Sequence, residues 1–311
     1  MATAQSPAHA PADARSQVQS LPFYTLLRVG TIGAVVALLL STRGNPGLYR
    51  ALVLSVGFGH YALSVIYAKG PIRRVLTSSR LIALFLGLAL LSCAFYAQGL
   101  SLLVLFGMHH VFNEVYLPDR SVRLTDHQLV RNLRGARLGL NFFLFFFLVR
   151  HDPESPSWNH SLLGAGLVAS AVAVAWLMWR IRNQAPRAVW RDLTAFEVAG
   201  LLVVPLSFVY QIRFLDVVLY HFVFWALYPI PRMLERGAAS AGNYLGLNLL
   251  LTGVFFLLSP ASPVLALFAD ATWSSHFRFW SYFHILTAFA LSTAFPVWIT
   301  RCFQSARALP Q

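Results

Sequence analysis

The sequence predicts an all-α, polytopic integral membrane protein, a helical bundle of about ten transmembrane helices. Of its 311 residues, 57% are hydrophobic and only 11% are charged, and the mean hydropathy is +0.61. These values lie outside the range of soluble domains. Several apolar runs approach the ~20 residues that cross a bilayer as a helix. The runs are continuous rather than alternating, which disfavours a transmembrane β-barrel.

The spans are predicted from apolar length and from the residues that interrupt it, such as Asn45-Pro46-Gly47 and Ser259-Pro260. The ten predicted spans cover residues 23–41, 48–68, 79–97, 99–117, 135–149, 161–180, 194–211, 214–231, 243–259 and 278–300. They define a transmembrane domain over residues 21–303. We expect residues 1–20, rich in Ala, Pro, Ser and Gln, to form a disordered cytoplasmic tail. Residues 304–311 are expected to form a second, short cytoplasmic tail.

The basic residues predict the orientation of the chain. The formal net charge is +13, from 24 basic and 11 acidic side chains. With a cytoplasmic N-terminus, ten spans leave 19 of the 24 basic residues on the inner side and 5 on the outer side, in line with the positive-inside bias. Because topology explains the charge, the lipid bilayer is the predicted partner and nucleic acid is not. We expect a bacterial inner (plasma) membrane protein with both termini in the cytoplasm.

Five of the ten histidines lie inside predicted spans, where an ionisable side chain is costly and marks a candidate functional site. Their four spans all run from outside to inside, and a rise of ~1.5 Å per residue places the imidazoles at similar depths near the midplane. The five are His60, His109, His110, His221 and His284. Such a layer predicts a metal centre or a haem, because neutral imidazole binds iron, copper and zinc. The alternative is a set of hydrogen-bonded packing histidines.

The segment GMHHVFNEVY, residues 107–116, carries two of these histidines. His110 and Glu114 are four residues apart and share a helix face, whereas His109 points about 100° away, towards Asn113. We take His110 as a metal ligand and assign catalytic or tuning roles to His109 and Glu114. For Glu114 the open roles are ligation, orientation of an imidazole and proton transfer. The alternative is a carboxylate that reaches the inner interface.

In the order and setting of these histidines, the chain resembles the Brp/Blh-type β-carotene dioxygenases of bacteria and archaea. The segments concerned are GFGHYALS around His60, LFGMHHVFNE around His109 and His110, LYHFVFWAL around His221, and the aromatic-rich span around His284. The resemblance implies a multi-pass membrane fold in which histidines on separate spans hold a non-haem iron. It makes His60, His110, His221 and His284 the expected ligands of Fe(II).

The chain departs from that family in two places. Gly59-His60-Tyr61 stands where the family has Pro-His-Gly with an acid shortly after. His221 is followed by Trp225 where the family has a second histidine, four residues on. A ligand of the family is therefore missing or replaced, by the second histidine of the pair at 109–110 or by Glu114. The departures favour a lipid other than β-carotene as the substrate.

Three functions agree with the sequence. The first is a metal-dependent membrane oxygenase, with non-haem iron, that acts on an isoprenoid, carotenoid-like or other lipophilic substrate. The second is a membrane electron carrier in which histidine pairs hold haem b. The third is a transporter or scaffold whose buried histidines serve packing. No P-loop, GxSxG or HExxH motif indicates another chemistry, and the oxygenase is the working hypothesis.

Overall fold

The computed structural model describes residues 21–67, 79–98, 101–121, 127–153, 155, 159–259 and 271–291. All regular secondary structure in these ranges is helical. The predicted tails, residues 1–20 and 304–311, lie outside the described residues, as does the end of the last predicted span, residues 292–300.

The described part of the chain contains twelve helices. In chain order they are α1 (Leu21–Ser41), α2 (Pro46–Tyr67), α3 (Ser79–Ala97), α4 (Leu102–Ser121), α5 (His127–Leu148), α6 (His160–Ile181), α7 (Arg187–Leu201), α8 (Val203–Val209), α9 (Phe214–Leu227), α10 (Ile230–Glu235), α11 (Ala238–Leu257) and α12 (Ala271–Leu291). A helix lies at each of the ten positions where a span is predicted. The seventh and eighth predicted spans are each divided, into α7 with α8 and into α9 with α10.

Five helical stretches are long and apolar enough to cross a membrane, fewer than the ten predicted when counted over the described residues. They are Leu21–Ser41, His160–Ile181, Arg187–Val209, Phe214–Glu235 and Ala238–Leu257. Polar side chains lower the hydropathy of two further helices: α4 carries two histidines, Asn113 and Glu114, and α5 carries three arginines. Shorter apolar segments remain at Ile82–Ala97 and Leu102–Val115.

The outer surfaces of the helices are apolar. Leu26, Phe208 and Leu249 are 74, 72 and 74% exposed, and Trp176 is 54% exposed. Soluble monomers rarely expose apolar side chains on this scale, whereas lipid chains cover them without cost. The exterior of the bundle therefore suits a bilayer.

Helix α9 lies at the centre of the bundle. Half of the span Phe214–Glu235 is buried, against 17–28% of the other four apolar spans. Helix α9 packs against α1 and α2, while α12 packs against α2, α3 and α4. Helix α5 packs between α4 and α6, α7 packs against α1, and α11 packs against α2. The helices that carry the predicted histidines, α2, α4, α9 and α12, are thus neighbours.

Helix α5 begins at His127, earlier than the predicted start at residue 135. The arginines that favoured a loop there lie on the helix, and Arg137 is only 2% exposed. Its Nε lies 2.7 Å from Oε1 of Glu197 on α7. Because the opposite charge on a neighbouring helix offsets the cost of burial, an arginine can occupy an apolar surface that the sequence pattern excludes.

Two glycines let α2 approach its neighbours closely. A Cβ atom at Gly59 would lie 2.8 Å from Oγ1 and 3.2 Å from the backbone nitrogen of Thr252 on α11. A Cβ atom at Gly57 would lie 2.6 Å from ring carbons of Phe222 and Phe277. Small residues allow such close helix contacts in membranes. Gly59 directly precedes His60 and Gly57 lies three residues before it, so this packing positions the helical turn that carries His60.

We expect Gly59→Ala to destabilise the folded protein by about 1 to 3 kcal/mol, because the added methyl group meets helix backbone that cannot move aside alone. Gly33→Ala on α1 is the matched control, since nothing lies within 4 Å of its Cβ position. Its effect should stay within about 1 kcal/mol. Thermal unfolding in mild detergent, followed by circular dichroism, measures both. Equal unfolding midpoints would contradict the close contact between α2 and α11.

Candidate functional site

Five imidazoles from four helices lie together inside the bundle. His60 lies on α2, His109 and His110 on α4, His221 on α9, and His284 on α12. His109, His110 and His221 are 3, 9 and 1% exposed, and the other two are half-buried. The depth count along the sequence predicts one layer of rings, and in the structure these rings are in contact.

Four of the rings form a closed circuit, with one ring from each of the four helices. The centroid of His284 lies 5.1 Å from His60 and 5.6 Å from His109. The centroid of His221 lies 5.1 Å from His109 and 6.2 Å from His60. His110 stands beside this circuit, with its centroid 5.6 Å from His221 and its Nδ1 atom 3.4 Å from the Nδ1 atom of His221. We call His60, His109, His221 and His284 the histidine quartet.

The spacing of the quartet suits ligands of a single metal ion. With metal–nitrogen bonds of about 2.1 Å, two imidazoles on a tetrahedral ion have ring centroids about 5.2 Å apart. The four separations lie at that value or within about 1 Å beyond it. Among the described residues, however, no three His, Cys, Asp or Glu side chains are arranged to hold a metal ion. The rings must therefore rotate about their χ angles before the quartet can bind one.

The pair His110 and His221 has two physical explanations. Two nitrogen ligands on a tetrahedral ion with bonds of about 2.1 Å are themselves about 3.4 Å apart, the distance observed here. The same distance is a long hydrogen bond, in which one neutral imidazole donates to the other. Under either explanation, His110 contacts the quartet through His221, whether or not His110 itself binds a metal ion.

Aromatic side chains enclose the imidazoles. Phe106 stacks on His110 with an interplanar angle of 8° and lies 5.1 Å from the ring of His221. Phe222 lies 5.3 Å from His60. Such a shell limits access by water and strengthens electrostatic interactions within the site.

Polar contacts orient two rings of the quartet. Nδ2 of Asn113 lies 3.0 Å from Nε2 of His109, one helical turn away, which confirms the predicted neighbourhood of these side chains. The ring of Tyr61 lies 4.9 Å from His284, and its hydroxyl lies 2.7 Å from Oγ of Ser281. Ser281 donates to the carbonyl oxygen of Phe277, so Tyr61 is the donor to Ser281. These contacts restrict the planes of His109 and His284.

Trp225 lies one helical turn beyond His221, with the ring centroids 6.2 Å apart. Its indole N–H is buried and has no hydrogen-bond partner among the described residues. A buried donor without a partner costs free energy and calls for an explanation. Trp225 is therefore a buried donor close to His221 that the described residues leave unsatisfied.

Glu114 is paired with a buried arginine, Arg28 of α1. The guanidinium donates to Oε2 of Glu114 through Nη2 and to the carbonyl oxygen of Phe196 through Nη1, at 2.8 Å. It also stacks over the Phe196 ring, 3.7 Å from the centroid. Each side chain of the pair is 4% exposed. The carboxylate thus turns to Arg28 instead of reaching the surface.

Sequence reasoning missed Arg28 because it was counted with the basic residues of the inner side. The signal for a site was present, since Arg28 lies within the apolar run of α1 and Glu114 within that of α4. Charged residues in such positions pair with one another. The sequence does not show which of the few buried acids pairs with Arg28.

A cavity of about 90 Å³ adjoins the histidine cluster. Four polar lining residues lie together, Arg28, Glu114, Tyr220 and His110, and Asn141 and Asp216 line it as well. The remaining wall is mainly apolar and includes Ile32, Val35, Leu39, Leu144, Phe145, Val203 and Val217. His110 therefore lies between the cavity and the quartet.

The other histidines lie apart from the site. His151 and His160 are exposed, with their ring centroids 5.1 Å apart, and His276 is exposed as well. His9 and the side chain of His127 lie outside the described residues.

Compared with known proteins, the chain matches no family model, no curated protein and no solved structure. The site itself carries the functional argument.

We expect Arg28→Met to destabilise the protein by about 3 to 5 kcal/mol, because it leaves the charge of Glu114 buried and unpaired. The double variant Arg28→Met/Glu114→Leu removes both charges and should recover most of that loss. Unfolding by SDS in mixed micelles measures each free energy. Arg43→Met is the control, since Arg43 is exposed. A double variant no more stable than Arg28→Met would show that the ion pair does not join α1 to α4.

Proposed function

We propose that the protein is an integral-membrane oxygenase that uses non-haem iron, held by histidines of separate helices, to oxidise an isoprenoid, carotenoid-like or other lipophilic substrate. The observation that carries the proposal is the histidine quartet, in which four helices each contribute one ring. Neutral imidazole is a ligand type that iron, copper and zinc accept, and four such rings meet here. The aromatic shell and the adjoining apolar cavity agree with a lipophilic substrate.

The ring distances favour His109 as the fourth ligand in place of the predicted His110. His109 lies in the circuit, in contact with both His221 and His284, whereas His110 reaches only His221 among the rings of the quartet. His110 then serves as a positioning residue, held against Phe106 and bonded to His221 through Nδ1. Imidazole suits iron, copper and zinc alike, so the choice of iron rests on the resemblance to the Brp/Blh-type dioxygenases.

The iron, when bound, would supply an open coordination position for O₂. Side chains of the protein would hold the ligand rings in place and shield that coordination position from water. Asn113 and Tyr61 restrict two of the ligand rings, and the aromatic shell excludes water. Trp225 stands where the resembling family has a second histidine, and its buried N–H is a donor towards a bound molecule. The charge of Glu114 is neutralised by Arg28. Glu114 therefore influences the electrostatics of the site and does not bind the metal ion.

Haem b fits this site less well. A porphyrin lies across the axis between its two axial imidazoles and extends well beyond them on every side. If His60 and His221 were the axial ligands, the rings of His109, His284 and Phe222 would occupy the space that the porphyrin needs. Each of these three rings lies 5.1 to 5.3 Å from one of the two axial rings. Haem binding would require the cluster to open.

We also propose that the chain crosses a bacterial inner membrane ten times, with both termini in the cytoplasm. Segments predicted on the outer side lie together in the structure. The backbone N–H of Phe214 donates to Oδ2 of Asp152 at 2.9 Å, and the Tyr49 hydroxyl donates to Oδ1 of Asp216 at 2.5 Å. On the predicted inner side, the indole N–H of Trp190 donates to the carbonyl oxygen of Met178 at 3.0 Å.

The oxygenase proposal predicts close to one iron per chain in the purified protein, measured by inductively coupled plasma mass spectrometry. His221→Ala and His109→Ala should each remove most of the iron, because each deletes a ligand. His110→Ala should retain it. His160→Ala is the control, since His160 is exposed and distant from the quartet.

Purified protein free of any transition metal would overturn the proposal, as would iron retained in full by His221→Ala. A Soret band in the absorption spectrum would favour the haem alternative. Equal iron loss in His110→Ala and His109→Ala would return His110 to the ligand set. Oxygenation itself is tested by incorporation of ¹⁸O from ¹⁸O₂ into isoprenoids incubated with the iron-loaded protein.

The proposed topology predicts which cysteines an impermeant maleimide reaches in intact cells. In a background with Cys93→Ser and Cys302→Ser, cysteines placed at Arg43 and His151 should be labelled from outside. Cysteines placed at Gln184 and Arg236 should be labelled only after the membrane is permeabilised. All four positions are exposed in the structure. Labelling of Gln184→Cys in intact cells would contradict the ten-span arrangement.

A further inference from the structure

The cavity beside the histidine cluster is a slot that runs along α1. Its α1 wall is formed by residues three or four apart, from Arg28 through Ile32 and Val35 to Leu39, so one face of the helix lines it throughout. At ~1.5 Å per residue, Arg28 and Leu39 are about 16 Å apart along the axis. The slot therefore has the length of a lipid chain segment and not of a single small molecule.

The slot is open along one side. Val36, Leu39, Leu144 and Val203 line it and are only half-buried. These residues come from α1, α5 and α8, and the exposed side chains of α1 and α8 include Leu26, Val29, Phe208 and Val209. A chain-like molecule can enter at this rim from the surrounding lipid without crossing water.

The inner end of the slot is polar but carries no net charge, because Arg28 and Glu114 neutralise each other. Within this pair, Nε of Arg28 and Oε1 of Glu114 are buried and have no hydrogen-bond partner among the described residues. Both side chains are more than nine-tenths buried, so each unmet atom carries the full cost of desolvation. The hydroxyl group of Tyr220 lies within hydrogen-bonding reach of both side chains, although it does not satisfy Nε of Arg28 or Oε1 of Glu114.

One unmet donor and one unmet acceptor define the group that satisfies them. A hydroxyl group can accept from Nε of Arg28 and donate to Oε1 of Glu114 at the same time. A hydrocarbon leaves both atoms unsatisfied. A carboxylate or phosphate would bring a second negative charge against Glu114, which is costly in an apolar surrounding.

We propose that this slot binds an amphiphilic lipid alcohol, with its hydroxyl group at Arg28 and Glu114 and its chain along α1. His110 lines the slot and contacts His221, so the bound chain lies against the histidine cluster. The inference deepens the proposed function, since it names the substrate as a lipid with a neutral oxygen at one end. Binding itself depends on the slot alone and not on a metal ion.

The test uses photocrosslinking of a diazirine-bearing hexadecanol to the full-length protein in lipid nanodiscs, as purified and again after chelator treatment. Crosslinked peptides are mapped by mass spectrometry and should come from α1, α5 and α9, which line the slot. Three competitors share one C20 isoprenoid skeleton: phytol carries a hydroxyl group, phytane is the hydrocarbon, and phytanic acid carries a carboxylate. Phytol should compete at concentrations at least tenfold lower than the other two.

Two sets of variants separate recognition from folding. Arg28→Met/Glu114→Leu should abolish the preference for phytol over phytane, while Arg137→Met/Glu197→Leu, a buried pair that does not line the slot, should retain it. Val36→Trp fills the rim and should reduce crosslinking at least fivefold. Its control, Val29→Trp, alters an exposed position of α1 and should leave crosslinking unchanged.

Equal competition by phytol and phytane would overturn the inference, because the slot would then bind the hydrocarbon skeleton without recognising the hydroxyl group. Strongest competition by phytanic acid would overturn it in favour of an anion site, and crosslinks confined to other helices would overturn it outright. The result does not depend on iron. Selective competition by phytol in a protein that contains no transition metal would establish the slot and overturn the oxygenase.

Discussion

A polar group inside an apolar bundle needs a partner on another helix, because neither lipid nor a packed core supplies hydrogen bonds. This constraint organises the protein. Arg28 joins α1 to α4 through Glu114, and Arg137 joins α5 to α7 through Glu197. Apolar surfaces can pack in many helix arrangements of similar energy, whereas each buried ion pair forms only where its two helices are adjacent. The polar contacts therefore specify the packing that the apolar contacts stabilise.

The histidine quartet obeys the same constraint in another way. Its rings come from α2, α4, α9 and α12, and they are close because α9 lies at the centre and α12 packs against both α2 and α4. The glycines before His60 bring α2 near enough for this contact. Packing alone does not explain why four imidazoles should meet, since leucine or phenylalanine would fill the same space at lower cost. The proposed metal ion would explain the arrangement, and the proposed slot would give a lipid access to it.

Much of the fold follows from local features of the sequence. Apolar length and breakers place a helix at each predicted span, and a fixed rise per residue places the histidines at a common depth. The neighbourhood of His109 and Asn113 follows from helical spacing and is confirmed. The start of α5 at His127 was not predictable in this way, because Arg137, in its third turn, is buried against Glu197 of α7, far away in the chain.

The sequence by itself determined that the chain is helical, that its exterior suits lipid, and that five imidazoles lie within four apolar helices. These properties follow from hydropathy and helical geometry, which depend only on residues within a few helical turns of one another. Only the tertiary structure decided that His109 closes the quartet while His110 faces the slot, and that Glu114 belongs to Arg28. His109 and His110 are adjacent and chemically identical, so the choice between them depends on the direction in which α4 faces its neighbours. That direction is set by contacts between residues far apart in the chain, which no local pattern contains.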